Sequence, residues 1–303
     1  VFFMNRPPAA DPFFRVWMHL SLCSCFARAL VVARVHSEFC DVSWDDVTSF
    51  AFVGGVPLFA VVLPFVPVPP LDHVFYWSFL LSIPLHIVPF FLHMKAIQIS
   101  PLSLTLPYLA FTPVFLILVG FVVLQEVPNI WGIVGILTTC MGSYILNLSS
   151  GYRSLLAPIL AVFKEKGSWL MLIVAFLYSL SGAVAKKAIL HSSPLFFTTS
   201  FFCFLGICMT LTMLTFGHAR ASVFRENIGK GIIAGILLFA HAIFHGFAIS
   251  LTKAAYMISV KRLSVLIGFG YGWLIFKEKD IPVRLIGTVL MVAGAVLITL
   301  WGQ

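Results

Sequence analysis

From residue 47 to residue 301 the chain alternates long apolar blocks with short polar breaks. Each block runs to about 20 residues, the length a helix needs to cross the hydrocarbon core of a bilayer. The pattern predicts spans over residues 47–66, 74–94, 101–123 and 129–148, and again over 168–189, 194–216, 228–251, 254–276 and 281–301. A tenth span, over 14–34, is interrupted by Arg15, His19 and Arg28. Residues 1–13 are rich in proline and predict a disordered N-terminal segment. Residues 150–167, with Arg153, Lys164, Glu165 and Lys166, predict a connector. None of the breaks is long enough to hold a soluble catalytic domain.

A repeat supports the tenth span. Glu126 and Glu278 lie 278 − 126 = 152 positions apart, and the same offset pairs Gly120 with Gly272, Gly135 with Gly287 and Gly142 with Gly294. Upstream it pairs His93 with His245, Gly54 with Gly206 and Trp17 with Trp169. Because glutamate is rare here, a G-x5-E-x8-G-x6-G pattern found twice is informative. The halves are therefore residues 14–149 and 168–301, with five spans each. Five is odd, so the second half enters the membrane in the opposite sense. The fold class expected is all-α: a polytopic membrane protein of about ten transmembrane helices, arranged as an inverted-topology pair of five-helix repeats. The halves differ in chemistry. Pro84, Pro89, Pro107 and Pro113 correspond to Ile236, His241, Ser259 and Val265, while Lys261 and Arg262 replace Leu109 and Ala110.

Composition agrees with a membrane chain: 60% hydrophobic, 10% charged, mean hydropathy +1.04. Lys and Arg number 19 against 11 Asp and Glu, a net charge of +8. In a membrane protein that excess measures loop bias, not affinity for nucleic acid. The six cysteines show neither metal spacing nor a disulfide framework. No nucleophile–base set or phosphate-cradling loop is present, so the chain reads as no enzyme, with no cofactor and no metal.

The charges inside 254–276 ask for a reason. Lys261 and Arg262 lie roughly 5 Å from the centre of that span at 1.5 Å per residue. A charge at that depth costs on the order of 3 kcal/mol and normally faces protein or water. On a continuous helix Lys261 shares a face with Ser264 and Tyr271, which makes these three substrate-binding candidates. Arg262 falls on a bulkier face and is read as a structural brace to a neighbouring helix. The alternative for both is a stem that snorkels towards the interface. His86, His93, His241 and His245 read as polar cavity lining or a proton relay, against the alternative of hydrogen-bonded packing residues, and His93 and His245, equivalent in the repeat, are further substrate-binding candidates. Gly120, Glu126, Gly272 and Glu278 are structural candidates, the glutamates as caps at helix ends. Lys186 and Lys187 read as end-of-helix lysines that meet headgroups, against the alternative that one adds positive charge at a cavity mouth. Gly231-x-x-x-Gly235 and the Gly268, Gly270, Gly272 ladder permit close helix approach, within the chain or in a homodimer.

The stretches SPLSLTLPYLAFTPVFLILVGFVVLQE (100–126), GIVGILTTCMGSYILNL (132–148), ISVKRLSVLIGFGYGWLIFKE (258–278) and GTVLMVAGAVLI (287–298) resemble the drug/metabolite transporter superfamily, and within it the EamA-type members with two five-helix repeats. The resemblance implies ten helices, a central cavity and alternating access. Members export amino acids and metabolites, carry nucleotide sugars or exchange phosphorylated sugars. The function expected is a secondary transporter of a small polar metabolite, with an anionic one as the case that Lys261 favours. The alternatives are a non-transporting or decayed membrane protein of the same fold, and a lipid-linked carrier or flippase. The partners expected are a small-molecule substrate and the lipid bilayer, in the plasma membrane. The basic residues of the loops would place the termini outside. The resemblance implies cytoplasmic termini, and the reading follows it.

Overall fold

The computed structural model describes residue 16 and residues 18–24, 44–100, 105–146, 165–215, 228–266 and 281–302. The segment 1–13, most of the 150–167 connector, and Tyr271, Gly272 and Glu278 lie outside the described residues. Among the described residues every regular element is a helix. Apolar sequence in lipid permits little else, because a helix satisfies its backbone groups within one segment. In chain order they are α1 (18–24), α2 (Trp44–Val62), α3 (His73–Ile99), α4 (a 3-10 turn Leu106–Phe111 continued by an α-helix Thr112–Leu124) and α5 (Ile130–Leu146). The second half contributes α6 (Lys166–Leu190), α7 (Pro194–Thr215), α8 (Ile228–Leu251), α9 (Ala254–Lys261) and α10 (Ile281–Trp301). Five of the described helices are long and apolar enough to cross a membrane.

Local chemistry sets the helix ends. Asp72 opens α3 by accepting the Phe75 amide at 2.8 Å. Gln125 closes α4 in the left-handed region, at φ 56°, where its amide and that of Glu126 turn back to the carbonyls of Phe121 and Gly120, both at 3.1 Å. That turn aims Glu126 back at the protein.

α5 and α10, the last helices of the two repeats, pack along each other, and four glycines make the contact. A Cβ on Gly135 would lie 2.8 Å from the Gly294 carbonyl oxygen, and one on Gly142 would lie 2.6 Å from that of Gly287. The sequence repeat equates Gly135 with Gly287 and Gly142 with Gly294. The structure crosses these pairs, as it must when two equivalent helices run antiparallel about a two-fold axis. This is the inverted topology seen directly.

The helix ends sort onto two faces. On one, Asn129 Nδ2 donates to the Trp301 carbonyl at 2.6 Å, and His191 Nδ1 lies 2.7 Å from Asp72 Oδ2. Glu126 is also there. On the other, the Ser100 hydroxyl donates to Glu165 at 3.3 Å, and Gly167 packs on Ser100 and Ala96. Between the two faces lies a core shared by both halves, with Phe75, Leu116, Ile136, Phe201, Ile249 and Met257. Trp77, Leu118, Val122, Leu211 and Trp301 point outwards, where lipid accepts them. Gly235 is used within the chain: its Cβ would fall 2.2 Å from the Gly54 carbonyl carbon.

Candidate functional site

Two helices are broken at equivalent depths. In α4 the 3-10 turn Leu106–Phe111 precedes the α-helix. Pro113 has no amide to give the Leu109 carbonyl, and the Thr112 hydroxyl donates to that carbonyl instead, at 2.8 Å. Adding 152 to 106 and 111 gives 258 and 263. There α9 also departs from α-helix: it ends at Lys261, and Arg262 and Leu263 form a turn. The turn amides bond three residues back, Arg262 to Ser259 at 3.1 Å and Leu263 to Val260 at 2.9 Å. A continuous helix over 254–276 is thus corrected by the described part of that span. No proline marks this second break.

The break separates the two cations. Lys261 closes α9, where the negative end of the helix dipole favours a cation. It is half-buried, and its charge acts on the His86 ring of α3. The Arg262 guanidinium reaches the other way, and Nη2 donates to the Thr112 hydroxyl at 2.7 Å. That bond joins the second break to the first, because Thr112 begins the α-helical part of α4. Ser264 is the repeat equivalent of Thr112 and follows directly on the turn, half-buried.

Near Lys261 lies a polar pair: His86, which the sequence already offers as a cavity-lining histidine, and Ser181, which it does not. His86 Nδ1 lies 2.8 Å from the Ser82 carbonyl, a bond it makes as donor. The Ser181 hydroxyl lies beside the ring edge, 2.9 Å from Nδ1 and 3.2 Å from Nε2. Phe201 packs an edge against the imidazole at 4.7 Å. His93 lies two turns further along α3, with its ring 6.3 Å from that of Tyr178. His245 stacks on His241 at 5.9 Å, and His241 in turn meets Ser24 of α1 at 3.0 Å. The repeat-related histidines therefore occupy different surroundings, and it is His86 that lies in the field of Lys261.

Glu126 reaches across the halves. Its Oε2 accepts the Ala254 amide at 2.8 Å, so it caps α9, and its Oε1 pairs with Lys186. Lys186 also donates to the Thr252 carbonyl at 2.5 Å and is 3% exposed. The lysine is itself buried and bonded within the protein, which corrects the expectation of a headgroup lysine. Tyr256 fixes the same end of α9: its hydroxyl accepts the Asn129 amide at 3.1 Å, and Gly132 leaves room for its ring. Gly120 serves this knot through its carbonyl, since a Cβ there would meet nothing within 4 Å. Sequence offered one signal for the ion pair: 152 positions from Lys186 is another base, Arg34, matching Glu278 as Lys186 matches Glu126. Among the described residues no group of His, Cys, Asp and Glu is arranged to hold a metal.

The arrangement brings a half-buried cation, an imidazole and hydroxyl groups close to two helix breaks. No curated protein matches the chain. A solved structure described only as "Crystal structure of protein" shares the fold, with a TM-score of 0.72 at 13% identity over 94% of this chain and 97% of that one. The EamA-like transporter family matches residues 15–148 and 165–300, one match for each repeat. The chain therefore belongs to the EamA-like transporter family and is an integral membrane transporter of the drug/metabolite superfamily.

Proposed function

We propose that the chain is a secondary carrier that binds a small polar, anionic metabolite between the two helix breaks and moves it across the plasma membrane by alternating access. The observation that carries this is the pair of breaks at repeat-equivalent positions, joined by Arg262 and Thr112. In inverted-repeat transporters substrates bind near the midplane where helices are discontinuous. Lys261 supplies the charge preference. An ammonium at this depth is tolerated only with water, a partner or a ligand, and an anionic substrate would offset its cost. Ser181 and His86, close by, add polar contacts that orient the rest of the molecule.

The test is uptake in proteoliposomes across a panel of carboxylated and phosphorylated metabolites. Lys261→Gln is expected to abolish uptake while the protein still folds and inserts, and Lys261→Arg to restore part of it. Arg262→Gln is expected to lower folded yield more than it changes substrate preference. Normal uptake by Lys261→Gln would reduce the lysine to a packing residue. No uptake of any compound in either direction would overturn the carrier itself.

A further inference from the structure

The two repeats are alike in fold, yet they meet each other differently at the two faces of the membrane. Towards the Glu165 face, α2 and α8 pack along each other with backbones in contact. A Cβ on Gly54 would lie 2.1 Å from the Gly231 carbonyl oxygen, and one on Gly235 would lie 2.6 Å from the Gly55 amide. The repeat turns this pair into α7 and α3 towards the Glu126 face, by 54 + 152 = 206, 231 − 152 = 79 and 235 − 152 = 83. Gly54 keeps a glycine as its counterpart, Gly206. Gly231 and Gly235 become Phe79 and Ile83. The same backbone contact is therefore barred at the Glu126 face, and α3 touches α7 at only a few backbone positions. Aromatic rings fill the difference. Phe75 meets Phe196 at 6.0 Å, and Phe79 meets Phe197 at 6.1 Å and Phe201 at 5.8 Å. Phe201 is the ring that also covers His86.

We propose that the two ends of the substrate passage are closed by unlike devices: a glycine-lined backbone contact of α2 with α8 at one face, and a layer of phenylalanine rings between α3 and α7 at the other. The proposal rests on the carrier reading above. The first device opens only when two helices part, a collective motion. The second can open by turning side chains while the helices stay in place, a faster and smaller event. Adding a side chain to the glycine contact holds that end open, and removing a ring from the other unseals it.

Accessibility of single cysteines measures both ends without needing a substrate. The background is the full chain with its native cysteines replaced by alanine, in membrane vesicles of each orientation, treated with a membrane-impermeant maleimide. Leu238→Cys sits beyond Gly235 and beside Gly55 on the inner side of the glycine contact. Ile83→Cys sits one turn beyond Phe79. Leu238→Cys is expected to resist reagent from the Glu165 face and to react about tenfold faster or more when Gly54→Val is added, as when a minor open state becomes the major one. Ile83→Cys is expected to gain reactivity from the Glu126 face when Phe79→Ala is added, and not from the opposite face. Equal rates with and without the second substitution, at either site, overturn the proposal. Should Gly54→Val fail to insert, the Phe79→Ala pair decides alone, and unchanged labelling of Ile83→Cys overturns it. Uptake of the metabolite panel in the same vesicles reports on the carrier reading separately, so a failure of either is distinguishable.

Discussion

A buried lysine and a half-buried glutamate, 60 positions apart in sequence, set the energetics of one end of the bundle. Two charges taken out of water repay their desolvation only together, and removing one typically costs about 3–5 kcal/mol because the other is stranded. Lys186→Met alone is therefore expected to lower the thermal midpoint of the purified protein strongly. Adding Glu126→Gln is expected to recover part of that loss, since a glutamine can still accept the Ala254 amide. A double variant as unstable as the sum of its singles would mean that the pair is not the source of the effect. Asp72 behaves differently because it is exposed. The Phe75 amide, and after it the His191 ring, hold its carboxyl below its ordinary 3.8. A depressed carboxylate contributes stability above its unfolded value and loses it as pH falls through the folded one. The midpoint difference between wild type and Asp72→Ala is therefore expected to persist at about pH 5 and to shrink as pH falls through and below the ordinary carboxylate range.

The helices show what sequence carried and what it hid. The pattern of glycines and glutamates gave the repeat, and the odd number of spans gave its inversion. Both are local facts that survive translation into structure. Which glycines touch was not legible, because it depends on how equivalent helices cross. Gly120 and Gly142 stand in the same repeated pattern, yet only Gly142 lies against a neighbouring backbone. Gly142→Leu is expected to force α5 from α10 and cost about 1–3 kcal/mol as overpacking. Gly120→Ala is expected to be neutral or to stabilise by about 0.5–1 kcal/mol, because alanine favours the helix and meets nothing. Thermal unfolding in detergent checks both. The break in α4 was foreshadowed by Pro107 and Pro113. The break in α9 was not, for no proline lies near it, and so Lys261 and Arg262 read as neighbours on one helix. His86 was legible as a cavity-lining histidine, but its link to Lys261 was not, because that link runs between α3 and α9, far apart in sequence.

At the scale of the whole molecule, Asp72 and Glu165 join the two halves at the helix ends, while Glu126 joins them deeper in the bundle and is occupied by Lys186 and the α9 amide. A carboxylate so engaged is poorly placed to load and release a proton in each cycle. Uptake is therefore expected to respond little to an imposed pH gradient, as in exchange or facilitated movement, unless the histidines relay protons. A strong gradient dependence that persists after replacing His86, His93, His241 and His245 would contradict this.

The cap on α9 also constrains how the protein is made. Glu126 leaves the ribosome 60 residues before Lys186 and 128 before the amide it caps. Until α6 arrives, the carboxylate has no base to neutralise it, and until α9 arrives the turn at Gln125 holds it towards an unfilled place. The first repeat is thus a half-finished object, however complete its five spans look in sequence. Synthesised as two separate polypeptides, the halves are expected to be cleared by quality control when expressed singly and to persist when expressed together, with α6 as the first element of the second half to dock.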